Sequence, residues 1–217
     1  MDFEIVDIIR RSRLTLLEIL EAKGYDITRY KKFGPFEIET MMTGDKEKTL
    51  RMDLERVLEE GIQAPTKCRV EYAIPKVKNR LAGFLSRLLD TEDGDPVDPK
   101  TTEIVVITLE SIGDSFTTAA LSLWNTQNLR IAFFDAHTLV SNPLNHVLVP
   151  KHEMLPSSEH AEFLKKYHLK TKMNLPMIRF HEDIIARILG LVPGDIVKIT
   201  RPSPQSGEYI HYRICVG

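Results

Sequence analysis

With 217 residues, 42% hydrophobic and 28% charged, the chain has the length and balance of one large folded domain or two small ones. A formal net charge of −2 excludes binding to nucleic acid through bulk positive charge alone. Cys68 and Cys215, the only cysteines, form neither a disulfide framework nor a zinc-ligand pattern, so a reducing compartment is the default.

The opening MDFEIVDIIRRSR sets acids before its basic residues, the reverse of a secretory signal. No apolar run approaches the roughly 20 residues that cross a bilayer. A soluble, intracellular protein is expected.

Glu4 to Ala22 predicts an amphipathic helix, with Ile5, Ile8, Ile9, Leu16, Leu17 and Leu20 on one stripe and Gly24 as the stop. Arg10, Arg11 and Arg13 lie mostly off that stripe and are expected to be solvated. Phe36 to Met42 alternates weakly, as a strand does, while Glu47 to Leu58 has helical spacing through Leu50, Leu54, Val57 and Leu58. Arg69 to Ile74 is a strand stopped by Pro75, and Val77 to Leu89 resumes helical spacing. Thr91 to Pro99 is an acidic loop. Glu103 to Leu109 suits a strand buried on both faces, Ser115 to Trp124 a helix, and Leu129 to Phe134 a further strand. This order predicts a parallel or mixed sheet with a crossover.

The pattern changes after Asn142-Pro143, which places a boundary near residue 143 and divides the chain into 1–143 and 144–217. The second part carries 10 Lys/Arg against 7 Asp/Glu and the first 19 against 24, and neither has a strong basic stripe. Its expected elements are a strand at Val147 to Val149, helices at Ser157 to Leu169 and Asp183 to Leu189, and a terminal hairpin. Ser157 is the expected N-cap of the first helix and Gly190 the stop of the second. In the hairpin, period-two alternation assigns Ile210, Tyr212, Ile214 and Val216 to a buried face, with His211 and Arg213 on the other. Ile196, Val197 and Ile199 make the preceding strand, and the Pro202 to Gly207 loop is expected to end the pairing. About 74 residues hold only a marginal core. Such a module gains by docking on something larger.

Motifs of catalysis are absent: there is no phosphate-binding G-x-x-x-x-G-K-[ST] loop, no G-x-S-x-G elbow and no H-E-x-x-H helix. Nuclease chemistry needs acids and a lysine on one strand face. Glu71 and Lys76 face opposite ways, and Glu21 and Lys23 diverge on a helix. No metal or cofactor is expected.

The segment His146-Val-Leu-Val-Pro-Lys-His152 resembles the H-x-LVPKH element of the small subunit shared by all eukaryotic nuclear RNA polymerases, whose archaeal counterpart is the H-type subunit. Leu175-Pro-Met-Ile, Asp183 to Leu191, and Pro193-Gly-Asp-Ile-Val-Lys-Ile-Thr-Arg-Pro-Ser with Gly207 to Arg213 are similar to further signatures of that family, in order, over roughly residues 146–217. Lys23-Gly-Tyr25 is like the family's RGY. Ile184 stands where the family has Pro, and its T-P-S-A element has no clear match around Ser111 to Phe116.

The resemblance implies an α/β jaw domain, a mixed sheet with flanking helices, followed by a small α+β assembly domain. It implies a non-catalytic subunit of DNA-directed RNA polymerase that docks on the largest subunit and meets downstream DNA only inside the complex. The assembly interface implied comprises His146, Val149, Pro150, His152, Arg201, Tyr209, Tyr212 and Arg213, with Arg201, Arg213 and Lys198 reaching partner carboxylates. No membrane or small-molecule substrate enters. The location implied is the nucleus for a cellular protein, or host cytoplasm or virion for a viral one. An independent DNA-binding regulator is the alternative reading, and a degenerate nuclease-like fold a further one; salt-sensitive gel-shift binding by the isolated chain would mark the regulator.

Overall fold

A computed structural model describes residues 3–43, 47–57, 65–74, 76–89 and 97–217. The chain forms two compact units, Met1–Asn142 and Pro143–Gly217, each with its own mixed sheet and helices.

In the first unit, helix α1 (Phe3–Ala22) buries Val6, Ile9, Leu16, Leu17, Ile19 and Leu20. Ile5 and Ile8 sit at the margin of the stripe. Arg13 is buried and not solvated: its Nη1 donates to the Leu50 carbonyl at 2.8 Å, and its guanidinium lies 5.7–5.8 Å from the rings of Tyr30, Phe33 and Tyr72. An aromatic cage and one backbone acceptor replace water around the charge.

Two local expectations are overturned. Residues 36–42 lie in helix α2 (Pro35–Thr43), not a strand, and only Ile38 is buried. The stretch from Glu47 is a single 3₁₀ turn (Glu47–Leu50) followed by strand β1 (Met52–Glu55) instead of a long helix. Met52 and Leu54 point inward while Asp53 and Glu55 point out, the period of a strand. Leu58, the end of the expected helix, lies outside the described residues, as do Pro75 and residues 91–96 of the acidic loop.

Strands β2 (Lys67–Ala73), β3 (Thr102–Thr108) and β4 (Arg130–Asp135) complete the sheet in the order β1-β2-β3-β4. The β1–β2 pair is antiparallel and the other two are parallel. Every β3 residue is buried, as a central strand covered on both faces requires. Helices α3 (Leu81–Leu89) and α4 (Asp114–Gln127) complete the unit, and α4 makes the β3-to-β4 crossover. Its Phe116 meets Phe133 of β4 with ring centroids 5.1 Å apart. Asn128, left-handed at φ 55°, closes α4: its N–H donates to the Trp124 carbonyl and the Leu129 N–H to the Leu123 carbonyl.

In the second unit, strands β5 (Lys151–Leu155), β6 (Met177–Arg179), β7 (Ile196–Ser203) and β8 (Gly207–Val216) form a sheet in the order β5-β7-β8-β6. The β6–β8 pair is parallel and the others antiparallel. Pairing of β7 with β8 continues through Pro202 and Ser203, so the proline does not end the ladder as expected. Helix α5 (His160–Lys166) follows a 3₁₀ turn at Ser157–Glu159, and Ser157 makes no side-chain cap. Helix α6 (Ile184–Leu189) is capped by Asp183, whose Oδ1 accepts from Ile185 N and Ala186 N, and ends at Gly190 with φ 70°.

The hairpin faces are less cleanly divided than alternation predicts. Ile214 is 2% exposed, but Ile210 is 45% exposed and Cys215, on the other face, is buried. The base of the hairpin is covered on both faces, while its tip is covered on neither.

Candidate assembly interface

The continuous β5-β7-β8 register fixes which side chains share a face. One face carries Lys151 and Glu153 of β5, Lys198 of β7, and Glu208, Ile210, Tyr212 and Ile214 of β8. Its charges offset one another: Glu153 takes Lys151 at 2.6 Å and Lys198 at 3.7 Å, which holds the Glu153 carboxyl below its ordinary range. Lys198 is therefore on the face opposite Arg201 and Arg213 and is already engaged.

Tyr212 also sits on this face, against α5. Its ring lies 4.5 Å from Phe163 and 5.4 Å from Tyr167. Burial, then the neighbouring Tyr167 hydroxyl, push Tyr212 up to about 12. His160 ties α5 to the sheet. Its Nε2 donates to the Leu155 carbonyl at 3.1 Å, so its Nδ1 is free to accept from the Lys172 ammonium at 2.7 Å. Burial and that ammonium lower the His160 pKa.

The other face gathers His152 of β5, Arg201 of β7, and Tyr209, His211 and Arg213 of β8. His152 and His211 flank Ile199 from its two sides, and Tyr209 lies opposite Arg201. No Asp or Glu of the four strands points to this side. Tyr209 stacks on His211 with centroids 5.6 Å apart and planes 26° apart. Burial, then Arg201, Arg213 and His152, lower the His211 pKa. Sequence reasoning treated His211 as a plain outward residue and missed that it stands among cations. The signal available was the shared parity of His211 with Tyr209 and Arg213.

His146, Val149 and Pro150 precede β5 in a corner, not in the expected strand at Val147 to Val149. His146 Nδ1 accepts from Leu148 N at 3.2 Å, and Val149 N donates to the His146 carbonyl at 2.8 Å. These bonds turn the chain inside the segment and throw Val147 and Leu148 outward, 92% and 81% exposed. The corner is joined to the acid-free face through His152, whose Nδ1 donates to the Pro150 carbonyl at 2.7 Å.

The first unit offers a groove of about 660 Å³ lined by Asp26, Arg29, Tyr30, Asp53, Lys67 and Arg69. Several of its charges are engaged: Arg69 donates to Asp53 at 2.9 Å and Thr28 to Asp26. Of the residues considered for nuclease chemistry, Glu21 pairs with Lys31 at 2.7 Å, Lys23 with Glu103 at 2.6 Å and Glu71 with Arg51 at 3.5 Å. Among the described residues no cluster of His, Cys, Asp and Glu is arranged to hold a metal ion, and no helix is long and apolar enough to cross a membrane.

Residues 141–215 match the family model described as RNA polymerase Rpb5, C-terminal domain. The chain is 46% identical over 72 residues to the DNA-directed RNA polymerase subunit Rpo5 of Nitrosopumilus maritimus, covering 33% of this chain and 84% of that one. The chain belongs to the Rpb5/Rpo5 family of DNA-directed RNA polymerase subunits. The Rpo5 of Sulfurisphaera tokodaii is 47% identical over 75 residues, 35% of this chain and 87% of that relative. The match to the subunit rpabc1 of DNA-directed RNA polymerases I, II and III of Dictyostelium discoideum is 34% over 119 residues, 55% of this chain and 59% of that one. An Rpb5/Rpo5 protein is one part of a multi-subunit enzyme and has no active site of its own.

Proposed function

We propose that this Rpb5-family subunit docks on the largest polymerase subunit through residues 144–217 and that residues 1–143 form part of a jaw near downstream DNA. The observation that carries the reading is the corner before β5. The segment that resembles the family's H-x-LVPKH element places Val147 and Leu148 almost wholly in solvent. Two adjacent apolar side chains held outward by the hydrogen bonds of His146, beside a face with unbalanced positive charge, fit a surface that a partner covers. His146, Val149, Pro150 and His152 shape that corner, and Arg201, Tyr209 and Arg213 extend it along the sheet; Tyr212 supports it from the opposite face. For a cellular source, the nucleus is the proposed location.

Co-expression with the largest subunit tests the reading. Replacing Val147 and Leu148 together by Asp should abolish co-purification while leaving the chain folded, because neither side chain belongs to the core. Retention of the complex by this double variant would remove the corner from the interface. A gel-shift of the isolated chain should show at most weak binding to duplex DNA.

A further inference from the structure

We propose that the acid-free face of the terminal sheet is a proton-linked receptor for an acidic segment of a protein partner, with Arg201 and Arg213 taking its carboxylates and His211 joining them in its charged form. This rests on the docking reading above and names the chemistry of what docks.

The argument begins with charge separation across one thin sheet. Glu153 and Glu208 point to one side, where lysines accompany Glu153. Two arginines and two histidines point to the other, with no carboxylate of the four strands beside them. Acids from outside the strands lie toward the Cys215 end, where Asp183 and Asp195 help burial raise the thiol. Both have work of their own: Asp183 caps α6, and Asp195 accepts from Val192 N at 2.9 Å.

The cations retain capacity. Arg201 is exposed and has no hydrogen-bond or ion-pair partner among the described residues. Arg213 uses Nη1 on the Met177 carbonyl at 2.8 Å, with the rest of its fork open. His211 Nδ1 is buried without a hydrogen-bond partner among the described residues, so no internal bond fixes the charge state of the ring. Guanidinium forks suit carboxylates in bidentate geometry. The apolar neighbours, Val147, Leu148 and Met154, exposed 92%, 81% and 38%, select a peptide over a phosphodiester chain, which has nothing to cover them.

Proton linkage follows from the same geometry. The guanidiniums that oppose a charge on His211 are those a bound carboxylate would neutralise. Binding then raises the His211 pKa and takes up a proton, so affinity increases as pH falls through the range in which the bound imidazole titrates.

The test is an NMR titration of the labelled full chain with a synthetic peptide of about a dozen residues, rich in Asp and Glu and carrying two leucines. Binding should move the His152 and His211 ring resonances, raise the His211 pKa, and be several-fold tighter at pH 5.5 than at pH 7.5. Arg201→Glu with Arg213→Glu should abolish it, with dispersed spectra certifying the fold. His211→Gln should keep the affinity at pH 7.5 and lose the gain at pH 5.5. Equal binding of the Asn/Gln version of the peptide, pH-independent affinity, or stronger binding of a 20-base-pair duplex at this face would each overturn the proposal. Co-purification separates the two levels: if the wild-type chain does not assemble with the large subunit, the docking reading fails, whereas undiminished assembly of the double arginine variant removes only the acidic receptor.

Discussion

Lys23 and Glu103, eighty residues apart in sequence, meet through two contacts of 2.6 and 2.8 Å with side chains only 18% and 7% exposed. The pair joins the end of α1 to the start of the central strand β3. Removing one partner leaves the other charged and almost dry. Lys23→Met or Glu103→Leu should each cost about 3–5 kcal/mol in urea unfolding, whereas the double replacement should recover most of that loss. Additive single effects would show that the two groups do not depend on one another.

Arg13 makes the first unit sensitive to a residue that looks like surface. Arg13→Met retains the stem, abandons the Leu50 carbonyl and empties the centre of the aromatic cage. The expected loss is about 2–3 kcal/mol, against less than about 0.5 kcal/mol for Arg11→Met, which removes an exposed side chain. Comparable melting of the two variants would return Arg13 to the solvated face.

Acid should loosen the second unit before most carboxylates titrate. His181 is 3% exposed, and burial, then the nearby Arg187, lower its pKa to about 3. The unfolded chain therefore binds the proton first, at about 6.5. Stability is full above that value and falls as pH drops from about 6.5 toward 3, by up to roughly 5 kcal/mol. His181 has φ 63°, so His181→Asn, which tolerates that backbone, is the clean comparison and should flatten the decline. An unchanged pH profile would place the acid sensitivity in other groups.

The hairpin yields a positional contrast. Ile214 is at the covered base of the sheet, and Ile214→Asp should prevent the second unit from folding. Ile210 is at the open tip and, contrary to what alternation alone suggests, Ile210→Asp should fold with a loss below about 1 kcal/mol. Proteolysis of the two purified variants distinguishes them.

Where the sequence was legible, long apolar patterns met matching environments. The β-branched run at β3 is covered on both faces, and the α1 stripe is continuous. Where it was not, one or two residues had to decide the period. In Phe36 to Met42 a single buried residue, Ile38, serves a helix and a strand equally, and Pro35 at the first helical position was the unused signal. Leu50 and Leu54 satisfy helical spacing, but Met52 between them is fully buried, and i, i+2, i+4 is a strand. Val147 and Leu148 resemble core, and only the hydrogen bonds of His146 turn them outward. The proposed interface residues rest on resemblance to a family. Their division between two faces, with Tyr212 behind and His211 in front, needed the register.

The most direct measurement is affinity purification of the tagged full-length chain from its native cell, with quantitative mass spectrometry of what accompanies it. The large subunits of DNA-directed RNA polymerase should be recovered in near-stoichiometric amounts, and the Val147→Asp, Leu148→Asp variant should lose them together. A chain that comes down alone, or with partners outside transcription, would contradict the assignment of this molecule to the polymerase.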